Sequence, residues 1–154
     1  MSALPPGTRV VIEGPYGRLS ARSRSRPRVA LIGAGVGITP LRALAEGLHY
    51  APGDAVLLHR YGDGPLFAAE LDLLARERGL AVIDLPGSRR APDSWLGPYL
   101  WEHTDESVLH DWIPDIADRD VYVCGPAGWA ASVQRCAEAV GTPRDRIHLE
   151  TFEW

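Results

Sequence analysis

The chain is expected to fold as an α/β domain on an open, mostly parallel five-stranded sheet with helices on both faces. Three observations carry this expectation. Four short runs, "RVALIG", "AVLLHR", "LAVIDL" and "DVYVCG", are apolar along most of their length, as strands buried on both faces are. Segments with helical spacing of apolar residues separate most of these runs, and strand-helix alternation implies right-handed crossovers. Glycine and proline punctuate the joints.

Taken in order, "RVVIE" (Arg9 to Glu13) is short and β-branched and ends in the turn-forming "GPYG", Gly14 to Gly17. "RLSARSRSRPR", Arg18 to Arg28, holds five arginines and three serines without apolar periodicity. It reads as an exposed linker separating residues 1–28 from a main domain at 29–154. Clusters of about 4 to 8 basic residues also suit an anionic membrane surface. Beyond the first strand of the main domain, Leu41, Leu44 and Leu48 share a helix face. Phe67, Leu71 and Leu74 do the same, as do Trp129, Val133, Cys136 and Val140. Gly141 and Pro143 stop that last helix, and "RIHLETF" supplies the final strand.

Composition bounds the function. With 154 residues, 45% hydrophobic and 23% charged, the chain can bury the core of one domain. A net charge of -4 argues against general nucleic-acid binding, which favours a basic surface. All sixteen basic residues are Arg. Two cysteines and no signal-peptide pattern point to a reducing, cytoplasmic setting. The longest apolar run, Val29 to Leu41, falls short of the ~20 residues that span a bilayer, so no transmembrane segment is expected.

The stretch "ALIGAGVGITPLRAL", Ala30 to Leu44, concentrates the chemistry. It fails the fingerprint G-x-G-x-x-G, because Ile38 stands where the third glycine belongs. Thr39 is a good N-cap and Pro40 a good first helical residue, so a helix should start just past the glycines. Its free N-H groups and dipole favour an anion, and residues without Cβ let a phosphate approach the backbone. Arg42, third in such a helix, makes sense beside a bound anion, although pairing with Glu46 four residues on explains it equally well.

"EGPYG", "GAGVGITPLRAL", "DVYVCGP" and "HLETFEW", in this order, resemble the pyridine-nucleotide half of the ferredoxin-NADP reductase superfamily. The flavour is that of the cytosolic dehydrogenase of ferric reductases and NADPH oxidases. The resemblance implies a pyrophosphate site over Gly33, Gly35, Gly37, Ile38, Thr39 and Pro40. It sets Cys124, Gly125 and Pro126 beside the nicotinamide, with Glu150 and Phe152 completing the catalytic end and Trp154 close by. Ser88 and Arg89 resemble the family's contact to a 2'-phosphate, and Arg60, ending the second strand, stands where an NADP site puts arginine. NADPH is therefore the expected coenzyme. Solvated loop charges remain the alternative for Arg60, Arg89 and Arg90, and Asp63 keeps NAD open.

Two departures from the family matter. Trp129 replaces the methionine common three residues after the C-G-P proline, and no R-x-Y-[ST] flavin signature occurs. The chain thus reads as part of a larger flavoprotein, with FAD bound mainly by a domain upstream and a haem-containing membrane domain as a further possible partner. Alone, it is expected to be inactive.

Other candidates carry less. No histidine is placed in sequence to activate Cys124, and Ala130 excludes a C-x5-R phosphatase loop, so Cys124 would position the nicotinamide. Cys136 reads as a small buried hydrophobe. "WEHTDESVLHDW", with His103 and His110, matches no known metal spacing. Its Trp101 and Trp112, with Trp95 and Tyr99, are expected to cover the sheet edge. The expected function is to present the hydride of NADPH to FAD for onward electron transfer. The contrasting reading is a non-catalytic dinucleotide-binding or docking module.

Overall fold

The structure, a computed structural model, describes residues 7–9, 11 and 17–153. Of the strand expected over Arg9 to Glu13, Val10, Ile12 and Glu13 lie outside the described residues, as do most of its turn and Trp154.

All four apolar runs and the final one are strands: β1 (Val29–Ala34), β2 (Ala55–Tyr61), β3 (Ala81–Pro86), β4 (Asp120–Pro126) and β5 (Ile147–Phe152). They form one sheet in the order β3-β2-β1-β4-β5, and every pairing is parallel, so the sheet is wholly rather than mostly parallel. Four helices connect them: α1 (Ile38–Gly47), α2 (Ala68–Arg78), α3 (Asp105–Trp112) and α4 (Ala127–Ala139).

The strand order explains the two-sided core. Val29, Leu31, Ala55 and Leu57 pack with Leu41, Leu44, Leu71 and Leu74 of α1 and α2. Ala30, Ile32, Val56, Leu58, Val121 and Val123 face the other way, against Val108 and Leu109 of α3 and Trp129, Val133 and Cys136 of α4. Alternate residues of β1 thus enter opposite layers, and all six are buried. At the edge, β3 is largely exposed or half-buried, and only Leu85 is buried.

Helix α2 ends on Gly79, whose φ of 68° is easy only for glycine and whose N-H donates to Ala75 O. Sequence spacing did not single out α3, which turns only Val108 and Leu109 fully inward. It is capped by Thr104, whose side chain accepts from Ser107 N at 3.1 Å.

The arginine-rich segment departs from expectation. Two carboxylates strap it along the sheet. Glu150, near the end of β5, accepts from Arg18 N at 2.7 Å and Leu19 N at 3.2 Å. Asp120, at the start of β4 and fully buried, accepts from Ser25 N and Arg26 N, both at 2.6 Å, and from Ser25 Oγ. Between these anchors Leu19 packs on the α1/α2-side core and Arg24 donates to the carbonyls of Arg26, Pro27 and His49. A charged run is solvated by default, and the buried Asp120 and half-buried Glu150 on neighbouring strands override that here.

The tryptophans also divide. Trp95 is fully buried in the core and meets Trp112 edge-on at 6.0 Å between centroids. Trp101 is 73% exposed and Tyr99 is exposed too, so neither covers the sheet.

Candidate functional site

In the order β3-β2-β1-β4-β5 the chain leaves β1 towards one side and β4 towards the other. The crevice beyond the carboxyl ends of such a pair is where open α/β sheets bind ligands. Here it lies between Ala34-Gly35 and Cys124-Pro126, and the first turn out of β1 is a short 3-10 segment, Gly35–Gly37.

The three glycines of the ladder serve different ends. A Cβ on Gly33 would sit 3.0 Å from Leu41 Cδ1 and 3.3 Å from the Ile38 backbone, so this glycine lets α1 lie close on β1. A Cβ on Gly37 would collide with the Cys124 carbonyl oxygen and lie 2.6 Å from its carbon. Gly37 therefore allows the turn to press on β4. Gly35 has a φ of 54° and nothing within 4 Å of its Cβ position, so it alone faces open space with a backbone that favours glycine.

The helix starts earlier than its capping residues suggest. Gly37 is the N-cap of α1, no side chain caps it, and Ile38 opens the helix. The 3-10 turn runs directly into the helix, which draws Thr39 and Pro40 inside the first turn. Thr39 is exposed there, while the Ile38 side chain is fully buried and can contribute only backbone to a ligand. Arg42 becomes the fifth helical residue. It pairs with Glu46 at 3.2 Å and lies over the Phe67 ring at 5.8 Å, so its intrahelical partner is the one the structure supplies.

At the end of β4, Cys124 is 5% exposed, and burial together with the negative charge of Glu150 pushes its thiol up to about 11. A neutral thiol is no nucleophile at ordinary pH. Gly125 admits Trp129, whose ring would lie 2.7 Å from a Cβ there. Trp129 is buried and donates from Nε1 to Trp95 O at 3.2 Å. The tryptophan that departs from the family's pattern thus joins the C-G-P turn to the segment after β3.

A prediction follows from the thiols. Cys136 is raised to about 12 by burial, and both cysteines lie above their ordinary 9.0. The unfolded chain loses these protons first, so the stability they give is complete below about pH 9 and declines towards pH 11 to 12. Urea midpoints should fall over that range, and less so in a Cys124→Ala, Cys136→Ala double variant. Equal slopes for the two proteins would refute this.

Beyond β2 and β3 lies a pocket of about 280 Å³, lined by Ala34, Gly35, Arg60, Ser88 and Pro126 among others. A second, of about 220 Å³, adds Arg89 and Trp129 to shared walls. The structure therefore brings Gly35, Arg60, Ser88, Arg89 and Pro126 together. Their side chains are not equivalent. Arg60 is only 8% exposed and donates to Gly87 O at 2.6 Å and Trp95 O at 3.5 Å, which makes it a brace for the loop. Burial and the nearby Arg89 lower its pKa, with Tyr99 opposing. Arg89 donates to Pro92 O at 2.8 Å and stands 3.8 Å from the Cβ position of Gly128 in the first turn of α4. It remains half-exposed and points a cation at the pocket's rim.

Several structural polar residues escaped sequence reasoning. Arg90 is no solvated charge: it pairs with Asp105 at 2.5 Å and donates to Ser94 Oγ and to the Leu100 and His103 carbonyls. Asp105 accepts in turn from Ser94 Oγ and Trp95 N. His59, inside β2, is fully buried, and neither ring nitrogen reaches a hydrogen-bond partner. Burial lowers its pKa, with the negative charge of Asp84 opposing. Its one sequence signal was a polar residue at an inward strand position. Glu150, expected beside a nicotinamide, spends its carboxylate on the strap, while Phe152 packs partly against the α1/α2-side core.

A wholly parallel sheet with a glycine turn at its switch point and a cationic pocket beside it defines a dinucleotide-binding class. Comparison with known proteins agrees: residues 31–135 match the oxidoreductase NAD-binding domain family, and the chain belongs to it. The flavohemoprotein of Deinococcus radiodurans is 29% identical over 97% of the chain. One component of the Na(+)-translocating NADH-quinone reductase of Klebsiella pneumoniae is 28% identical over 97%. The chain spans 38% of the length of each of these proteins. Among solved structures, the flavohem-like FAD/NAD binding domain of nitric oxide dioxygenase from Vibrio cholerae aligns with a TM-score of 0.58 at 28% identity, covering 84% of this chain and 52% of that one. Ferredoxin-NADP+ reductase from Plasmodium falciparum, with a TM-score of 0.55 at 14% identity over 81% of this chain and 52% of that one, shares the fold. The fold expected from the motifs is thus the one the chain shares with ferredoxin-NADP+ reductase, and the relatives named above are a flavohemoprotein and a quinone reductase component rather than ferric reductases or NADPH oxidases. No helix among the described residues is long and apolar enough to cross a membrane.

Proposed function

We propose that this chain binds NADPH across the carboxyl ends of β1, β2 and β4 and presents it to FAD carried by a separate domain of a flavin-dependent oxidoreductase. The observation that carries the proposal is Gly35: an open, positive-φ residue at the head of α1, opening on the pocket that holds Arg60 and Ser88. The residues fit a dinucleotide. Backbone N-H groups around Gly35 to Thr39 would take the pyrophosphate, helped by the helix dipole. Ser88 and Arg89 would take a 2'-phosphate. Cys124, Gly125 and Pro126 would bound the nicotinamide, with Phe152 on the side where a flavin must come.

The coenzyme supplies a hydride when bound, and the protein's part is to fix distance and angle. The neutral Cys124 thiol suits a wall of that site. Arg60 acts by holding Gly87, and so the loop that carries Ser88 and Arg89. Haem is the favoured onward acceptor on the likeness to flavohemoproteins, and a ferric-reductase or NADPH-oxidase arrangement with a haem-containing membrane partner rests on the motifs alone. NADH is the second reading. It is favoured by the engagement of Arg60 with backbone carbonyls and by the quinone-reductase relative.

The test is a calorimetric titration of both coenzymes into the wild type and Arg89→Ala. Loss of a charge-assisted hydrogen bond, about 1.5 to 3 kcal/mol, should weaken NADPH roughly 10- to 150-fold and leave NADH nearly unchanged. Equal effects on the two coenzymes would refute the 2'-phosphate assignment. Tighter binding of NADH by the wild type would establish the second reading.

A further inference from the structure

We propose that Glu150 is a positioning residue that latches the chain at Gly17 to Leu19 onto the end of β5, and so fixes the point beside the nucleotide site at which the chain joins the domain. The proposal rests on the reading of this site as one served by a flavin-bearing domain.

Three features support it. Glu150 is the register partner of Cys124, so its carboxylate sits one strand away from the C-G-P turn. One oxygen, Oε1, accepts from both Arg18 N and Leu19 N, a paired backbone grip that a catalytic carboxylate would not be expected to make. Gly17 is shaped for the grip. Its φ is 97°, and a Cβ on it would collide with Oε1 and lie 2.9 Å from Glu150 Cδ. The chain therefore enters the domain against Glu150, at the end of the sheet where the dinucleotide site lies.

The second anchor differs in kind. Asp120 grips Ser25 and Arg26 at the opposite end of β4, where it also meets His148 Nε2 at 3.3 Å. It secures the strap to the sheet but lies far along β4 from Cys124. Of the two anchors, Glu150 is the one beside the site, and backbone donors hold its charge there. Any domain attached before Gly17 must then start its path at the edge formed by Cys124, Glu150 and Phe152, the side from which a flavin has to reach a nicotinamide.

Hydrogen exchange on the chain without coenzyme tests this directly. In the wild type the Arg18 and Leu19 amides should exchange at least about tenfold more slowly than free backbone. Glu150→Ala should release both, while the Ser25 and Arg26 amides, held by Asp120, stay protected and report an intact fold. Glu150→Gln keeps an acceptor oxygen and should retain most of the protection. Gly17→Ala, which leaves Glu150 in place, should release the same two amides through the collision. Unprotected Arg18 and Leu19 in the wild type, unchanged protection in Glu150→Ala, or a loss in Glu150→Gln as large as in Glu150→Ala would each overturn the proposal. None of these readings depends on coenzyme, so failure here is separate from failure of the titrations that test dinucleotide binding.

Discussion

Gly37→Ala should destabilise the domain by roughly 1 to 3 kcal/mol, the usual range for forcing an extra carbon into packed structure. Backbone preference alone predicts the opposite sign. Gly37 has φ -60° and ψ -14°, a helical conformation in which Ala is favoured over Gly by about 1 kcal/mol. The collision decides the outcome, because the new Cβ would meet the carbonyl group of Cys124, and backbone cannot rotate aside as a side chain can. The turn would have to lift from β4 at the switch point, so coenzyme binding should weaken as well. Gly47→Ala is the control. It lies at the other end of α1, with nothing within 4 Å of its Cβ position, and should be neutral or stabilising. Denaturant midpoints of the two variants check the prediction, and matching midpoints would show that the contact yields.

Gly35→Val should do the reverse, abolishing measurable dinucleotide binding while the fold persists. A β-branched residue at φ 54° is strained by about 1 to 2 kcal/mol, and its Cβ would stand in open space with nothing within 4 Å. A domain stable by the usual 5 to 15 kcal/mol tolerates that loss. Its side chain would stand in the open space through which a pyrophosphate must approach the backbone. Circular dichroism should therefore match the wild type while titration with either coenzyme gives no saturable heat. An unfolded variant would make Gly35 structural, and unimpaired binding would remove the phosphate from this turn.

These two glycines, two residues apart and identical in sequence terms, mark the limit of what the sequence determined. Local pattern was sufficient for the five strands, because β1, β2 and β4 are buried along nearly their whole length and the edge strands β3 and β5 still form short runs rich in apolar residues, and for three of the four helices, because their inward faces repeat at helical spacing. The order of motifs was sufficient for the family. The 3-10 turn that moves the start of α1 to Ile38 was hidden, since Thr39 and Pro40 are good starting residues and only the packing of Gly37 on Cys124 draws the helix further back.

Charged residues were the least legible, because a charge is ordinarily solvated and its partner is distant along the chain. Arg18 to Arg28 looked like a free linker, yet its backbone is gripped by Asp120 and Glu150, 95 and 132 residues away. Arg60 and Arg90 looked like ligand-facing or solvent-facing charges and prove to brace carbonyls of the loop after β3. Sequence determined which residues could form strands, helices and a glycine turn, since those choices depend on neighbours a few positions off. Only the tertiary structure decided which glycine faces open space, since Gly37 meets Cys124 of the β4 strand that pairs with β1, and which arginine braces a loop, since Arg60 of β2 reaches Gly87 and Trp95 beyond β3; in each case the partners are far apart in the chain.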